Sequence, residues 1–197
     1  LEIVRAVADS GANALKLQTY TADTITLKSD APDFQLNSGP WQDHGCLWDL
    51  YNAAHTPWEW HKTIFDEARR LGLEVFSSPF DETAVDFLES LGASAYKVAS
   101  PEICHIPLLQ RVARTGKPVI LSTGVANLED IELALATLRA SGASDIVLLK
   151  CTTAYPAPLE DINLLTIPDM TNRFEVVSGL SDHSIGTAVA VAAVAVG

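Results

Sequence analysis

Short apolar runs rich in β-branched residues recur along the chain, and a glycine comes shortly before most of them. NALKLQTY (13–20) follows Gly11, EVFSSPF (74–80) follows Gly72, and AYKVAS (95–100) follows Gly92. PVILSTG (118–124) follows Gly116, and DIVLLKCT (145–152) follows Gly142. Between the runs, apolar residues return at helical spacing. A glycine suits the left-handed position just past a helix end. Helix starts are signalled as well, by Thr56-Pro57 with Glu59 and by Asn127 with Glu129 and Asp130. A sixth run, EVVSGL (175–180), comes after a looser connection through Pro156, Pro158 and Pro168. A last helix is predicted from about Ser184. Strands alternating with helices predict βαβ units and a parallel sheet.

The pattern is open at both ends. Leu1 stands inside an amphipathic helical stretch, and AVAVG at the end resembles the helix–glycine endings that precede each earlier strand. Six strands and seven helical stretches predict an α/β fold, the interior of a (β/α)8 TIM barrel. On that count, residues 1–197 form a partial barrel domain, with about one strand missing before it and two after it. A doubly wound open sheet is the rival. It ranks lower because no G-x-G-x-x-G loop follows any strand.

Composition narrows the function classes. The 197 residues are 48% hydrophobic, which is ample for a core, and carry a net charge of −12. So acidic a chain argues against nucleic acid or an anionic membrane as partner. A local pocket for a small anion remains open. Cys46, Cys104 and Cys151 lack metal-type spacing and fit a reducing, cytoplasmic setting. LEIVRAVADSG does not read as a signal peptide, and no window has the length and apolarity of a membrane span.

In parallel α/β folds, ligands meet the C-terminal strand ends. Here those ends read Lys16-Leu17-Gln18-Thr19-Tyr20, Ser77-Ser78-Pro79-Phe80, Lys97-Val98-Ala99-Ser100-Pro101-Glu102, Ser122-Thr123-Gly124, Lys150-Cys151-Thr152-Thr153-Ala154-Tyr155 and Ser181-Asp182-His183. All six end in polar groups and three contain lysine. Converging lysines and hydroxyls suit a phosphate or carboxylate. The alternative is that each lysine merely reaches solvent. His183 is a candidate for metal binding or acid/base work, with Asp182 beside it to orient the ring. The bland alternative is a hydrogen-bonded structural histidine. His44, His55, His61 and His105 read as surface residues. Trp58-Glu59-Trp60 reads as helix packing. The connection 21–55 is too long for a simple βα loop. Its Trp41, Asp43 and His44 either cover a site or belong to a packed surface excursion.

Taken together, KLQTY, FSSPFD, YKVAS-E, STG, LLKCTTAYP and GLSDHSIG resemble, in order, the motifs of the sialic acid synthase family, over nearly all of residues 1–197. Within it, DTITLKSDAPDF, LYNAAHTPWEWH and VSGLSDHS are most similar to the pseudaminic-acid-forming branch. The resemblance implies an eight-stranded barrel and the condensation of phosphoenolpyruvate with an N-acetylated amino sugar to give a nonulosonic acid. It implies that Lys16 and Lys97 hold phosphoenolpyruvate. Ser78, Ser100, Ser122 and Ser181 would surround its phosphate and carboxylate. Thr153 falls where some members have asparagine. Gln18, Glu102, Tyr155 and Asp182 match residues near the sugar, and Glu102 and Lys97, with His183, match the reacting centre. His183 matches one of two histidines that bind a divalent metal, Mn2+ or Mg2+.

The chain departs from that pattern. The family's first strand, its second metal histidine on the seventh strand and its C-terminal antifreeze-like domain are not in residues 1–197. That domain reaches across a homodimer in family members. Three alternatives stand beside the pseudaminic reading: a sialic or legionaminic acid synthase, a barrel making keto-deoxy sugar acids, and a non-catalytic truncated remnant.

Overall fold

A computed structural model of the chain describes residues 1–39 and 41–197; Pro40, within the long connection 21–55, lies outside the described residues. The chain divides into two compact units, Leu1–Ser94 and Ala95–Gly197.

The first unit runs α1 (Glu2–Asp9), β1 (Ala14–Thr19), α2 (Ala22–Ile25), α3 (Leu47–Ala54), α4 (Trp58–Arg70), β2 (Glu74–Pro79) and α5 (Glu82–Ser90). The strands pair in parallel, with Lys16 opposite Phe76 and Gln18 opposite Ser78. Side chains alternate across a strand, so these four share one face. Helix α4 buries His61, Phe65 and Ala68 along one side. Trp58 stacks on Phe87 of α5 at 4.7 Å and donates its indole N–H to the Tyr20 carbonyl at 3.2 Å. Trp60 is 58% exposed, so only one of the two tryptophans does the packing expected of the pair. Gly72, at φ 78°, reverses the chain from α4 into β2 in a conformation costly for any residue with a Cβ. Asp81 starts α5 by accepting the N–H groups of Thr83 and Ala84.

The connection 21–55 is not structureless. It holds α2, α3 and an antiparallel bridge between Gln35 and Cys46. Tyr51 meets Tyr20 edge-on at 5.7 Å, and the Trp48 N–H donates to Asp23 at 2.8 Å. Its described residues form a packed excursion on the first unit, with Trp41 half exposed.

The second unit runs β3 (Tyr96–Val98), α6 (Ile106–Ala113), β4 (Val119–Ser122), α7 (Leu128–Ala140), β5 (Ile146–Cys151), α8 (Thr166–Phe174), β6 (Val177–Ser181) and α9 (Ala188–Val196). Its strands are parallel and pair in chain order, β3 to β4 to β5 to β6. A doubly wound sheet needs a reversal of that order, and this unit has none. Leu108, Leu109, Leu121, Leu138 and Leu148 are fully buried, each stabilising the unit by roughly 2 kcal/mol. The last helix begins at Ala188, four residues later than the expected Ser184. The intervening SIGT turns through Gly186, at φ 87°, before the helix can start.

Register and alternation sort the strand ends of this unit. Lys97 lies opposite Ile120, Ser122 opposite Leu149, and Cys151 opposite Ser181. Stepping by two along each strand puts Lys97, Ser122, Cys151 and Ser181 on one face. Lys150, one residue from Cys151, lies opposite Leu180 on the other face. The three strand lysines therefore do not all converge, as a reading by strand ends alone expects.

Candidate active site

The polar face of the second unit begins with Lys97. Its side chain is 6% exposed, and its ammonium donates to the Val98 carbonyl at 3.0 Å. After β3 the chain makes one turn of 3-10 helix, Ser100–Glu102. Glu102 Oε2 is buried without a hydrogen-bond partner. Burial pushes the Glu102 pKa up to about 7; a hydrogen bond to its own backbone and the charge of Lys97 pull the other way. On β4, Ser122 Oγ is likewise buried and unpartnered. Asp81 Oδ2, Ser178 Oγ and Ser184 Oγ are unpartnered too, and what sets Ser122 and Glu102 apart is the buried lysine at the same strand ends.

Gly124 ties three strand ends together. Its N–H donates to Ser100 Oγ at 3.0 Å. A Cβ at this position would overlap Thr153 Oγ1 and stand 3.1 Å from the Cys151 carbonyl oxygen. Only glycine admits that approach, which holds the ends of β3, β4 and β5 close together. Thr153 is exposed. The neighbouring Thr123 is not part of this face, since its hydroxyl donates to the Leu149 carbonyl at 3.1 Å.

His183 is clamped by the segment that follows β5. Its Nδ1 lies 3.1 Å from the Thr152 carbonyl, which only accepts, so Nδ1 carries the proton. Its backbone carbonyl accepts the Ala157 N–H at 2.9 Å. The Tyr155 ring covers it at 4.4 Å, and Cys151 Sγ is 3.9 Å from Nδ1. Tyr155 is otherwise 66% exposed. Asp182 does not orient the ring, contrary to expectation. Its carboxylate accepts the Ser184 N–H at 2.9 Å, and its hydrogen bonds to Ser184 hold its pKa below the usual carboxylate range. The turn after β6 needs a cap, and an aspartate two residues upstream supplies it. Ser181 is half-buried at the same strand end.

With Nδ1 committed, the lone pair of Nε2 is the one left for a cation, the usual arrangement for a metal-bound imidazole. Among the described residues, no three His, Cys, Asp or Glu side chains gather into a metal cage. Toward a cation, His183 thus offers a single imidazole donor.

In the first unit, Lys16 and Gln18 are exposed and Ser78 is 2% exposed on their shared face. Though the surface of Lys16 is open, the protein packed around its ammonium lowers its pKa by desolvation. The opposite face holds what the sequence reading missed. His61, expected on the surface, is fully buried. Its Nε2 is 2.9 Å from Thr19 Oγ1, which is 2.7 Å from Ser77 Oγ, while Nδ1 approaches the Pro57 carbonyl at 3.2 Å. The signal was present: Trp58, His61, Phe65 and Ala68 recur at the spacing of one helix side.

A cavity of about 730 Å³ in the second unit lies between α7 and α8, lined by Ile131, Leu164, Met170 and Phe174, with Lys150 and Asn127. It is on the helix-covered side, away from Ser122. Among the described residues, no helix is long and apolar enough to cross a membrane.

The chain can now be set against known proteins. The NeuB family pattern matches residues 3–197. A pseudaminic acid synthase of Helicobacter pylori is 43% identical over 196 residues, covering all of this chain and 57% of that protein. An N,N'-diacetyllegionaminic acid synthase of Legionella pneumophila is 36% identical, again over the whole chain and 56% of its own length. The chain therefore spans a little over half the length of these relatives. In structure, a sialic acid synthetase from Leptospira borgpetersenii, solved with citrate, matches the whole chain with a TM-score of 0.85 at 28% identity, over 63% of that protein. The α/β class of TIM-barrel type expected from the sequence is the class of these neighbours.

Proposed function

The chain belongs to the NeuB family, and from that premise we propose that it carries much of the active site of an enzyme condensing phosphoenolpyruvate with an N-acetylated amino-sugar aldehyde, pseudaminic acid being the product. The observation that carries this reading is the pair of buried, unpartnered oxygens, Ser122 Oγ and Glu102 Oε2, on the face that holds Lys97. Relatives named as pseudaminic acid synthases, at 42–43% identity, favour that product over the legionaminic one at 36%.

The proposed chemistry follows from the residues. Lys97 meets the anionic groups of phosphoenolpyruvate, and Ser100, Ser122 and Ser181 offer hydroxyls to its oxygens. Carbon C3 of the enol attacks the sugar aldehyde carbon, and the carbonyl oxygen takes up a proton. Water then adds at C2 and phosphate leaves by C–O cleavage. Glu102, titrating near neutrality, is suited to deliver or accept a proton in these steps. Thr153, Tyr155 and Asp182 are assigned to the sugar. Manganese or magnesium held through His183 Nε2 would polarise the aldehyde as a Lewis acid.

The test supplies the whole protein with phosphoenolpyruvate and either 2,4-diacetamido-2,4,6-trideoxy-altrose or N-acetylmannosamine, and follows phosphate release. Faster release with the trideoxy sugar is expected. Faster release with N-acetylmannosamine overturns the pseudaminic assignment, and no release with any amino sugar overturns the synthase reading. Lys97→Ala is expected to weaken phosphoenolpyruvate binding by about 2–5 kcal/mol in calorimetry.

A further inference from the structure

We infer that Lys150 is a positioning residue for His183: by holding the Cys151–Thr152 backbone from the helix-covered face, it fixes the ring with Nδ1 protonated and Nε2 bare. Its ammonium donates to the Cys151 carbonyl at 3.1 Å, to Thr152 Oγ1 at 3.0 Å and to the Asp161 carbonyl at 3.5 Å. Thr152 Oγ1 in turn donates to the same Asp161 carbonyl at 3.1 Å. An ammonium has three protons, and here each has an acceptor. The peptide oxygen that meets His183 Nδ1 belongs to Thr152, the residue held by this cluster. Thr152 O also takes the Ala154 N–H at 2.9 Å, so its direction is set from both sides.

The chemistry explains why a lysine stands there. The end of β5 and the loop 152–161 direct two carbonyls, of Cys151 and Asp161, and the Thr152 hydroxyl at one point beside the sheet. A single ammonium satisfies all three, whereas methionine of similar length satisfies none. Without it, the Cys151 carbonyl and the Thr152 hydroxyl lose their shared donor, and the Thr152 carbonyl that selects the tautomer is held less firmly. Lys150 touches neither the polar face nor Nε2. Its influence on that face runs through residue Thr152 and one ring.

This inference rests on the reading of His183 as a metal ligand for its purpose, not for its measurement. The tautomer is read without metal, from the ring nitrogen shifts of His183 in ¹⁵N-labelled protein at a pH where the imidazole is neutral. The unaltered protein is expected to show one form, with the proton on Nδ1. Lys150→Met is expected to lose that signal dominance in favour of the Nε2-protonated form, with the amide spectrum of the rest of the unit retained. Lys150→Gln, which keeps two donors, is expected to show a smaller shift, and it carries the test if the methionine variant does not fold. An unchanged tautomer in a folded variant overturns the inference, as does an unaltered protein already protonated on Nε2. Manganese binding by the unaltered protein, followed by electron paramagnetic resonance, is scored separately. Its absence overturns the metal reading and leaves the tautomer result standing.

Discussion

Thr19 and Ser77 in the first unit and Ser122 in the second are buried strand-end hydroxyls bonded in opposite ways. In the first, Thr19, Ser77 and His61 form a closed chain beneath α4, each with a partner. In the second, Ser122 and Glu102 are buried on the polar face with oxygens that have none. The local sequences are much alike, with serine or threonine following an apolar run. What differs is the face. The hydroxyls of Thr19 and Ser77, turned toward α4, find His61 on that helix, and the result is structure. The Ser122 hydroxyl, on the opposite face of its own strands, has no partner among the described residues.

The largest way to break the comparison is to remove the closed chain. His61→Ala deletes a fully buried ring packed against Phe65 and Phe87 and removes one of the two partners of Thr19. A loss of about 3 kcal/mol in urea unfolding is expected. A loss below about 1 kcal/mol would show that the chain is incidental.

Gly124→Ala tests how tightly the open face is assembled. The added methyl must displace Thr153 or the Cys151 backbone, at a cost of about 1–3 kcal/mol. The same unfolding midpoint as the parent would mean that the ends of β4 and β5 are not held at this spacing.

Acid and base should pull the two regions in opposite directions. Burial lowers the His61 pKa below its ordinary 6.5, so the folded protein resists protonating it. Stability from this group is present above pH 6.5 and is lost as pH falls through the lower folded value. Glu102 is raised from 4.5 to about 7. Its sign is reversed: stability is greatest below pH 4.5 and is lost as pH rises through about 7. Glu102→Gln should therefore stabilise the ligand-free protein at pH 8 by about 2 kcal/mol after solvent screening, and leave it unchanged at pH 4. Equal stability of variant and parent at both pH values would contradict the raised pKa.

The smallest expected effect sharpens the contrast most directly. Ser77→Ala should cost about 1–2 kcal/mol, because Thr19 loses a buried partner. Ser122→Ala should change stability by less than about 0.5 kcal/mol, since none of the described residues bonds to that oxygen. Its effect belongs in phosphoenolpyruvate affinity, measured by calorimetry. Equal destabilisation by both serine variants would erase the distinction between the two faces.

Much of this molecule is written in local order. Six strands and seven of the helices, their sequence and the glycines between them follow from periods of 2 and 3.6 residues, which report burial without reference to distant partners. The polar strand ends were legible for the same reason. Other features required contacts across long stretches of chain. His61 looked like a surface histidine until Thr19, 42 residues away, met it. Asp182 stood beside His183 in sequence, yet the ring turned to the Thr152 carbonyl, 31 residues away, while the carboxylate capped its own turn. Lys150 and Lys97 read alike as strand-end lysines. Register put one on each face, giving Lys150 the carbonyls of a loop and Lys97 the side of the unpartnered oxygens. Periodicity is carried by neighbours along the chain. Which polar atom finds which partner is settled only when the strands and helices pack, because hydrogen bonds act over about 3 Å and the partners are brought that close by the fold alone.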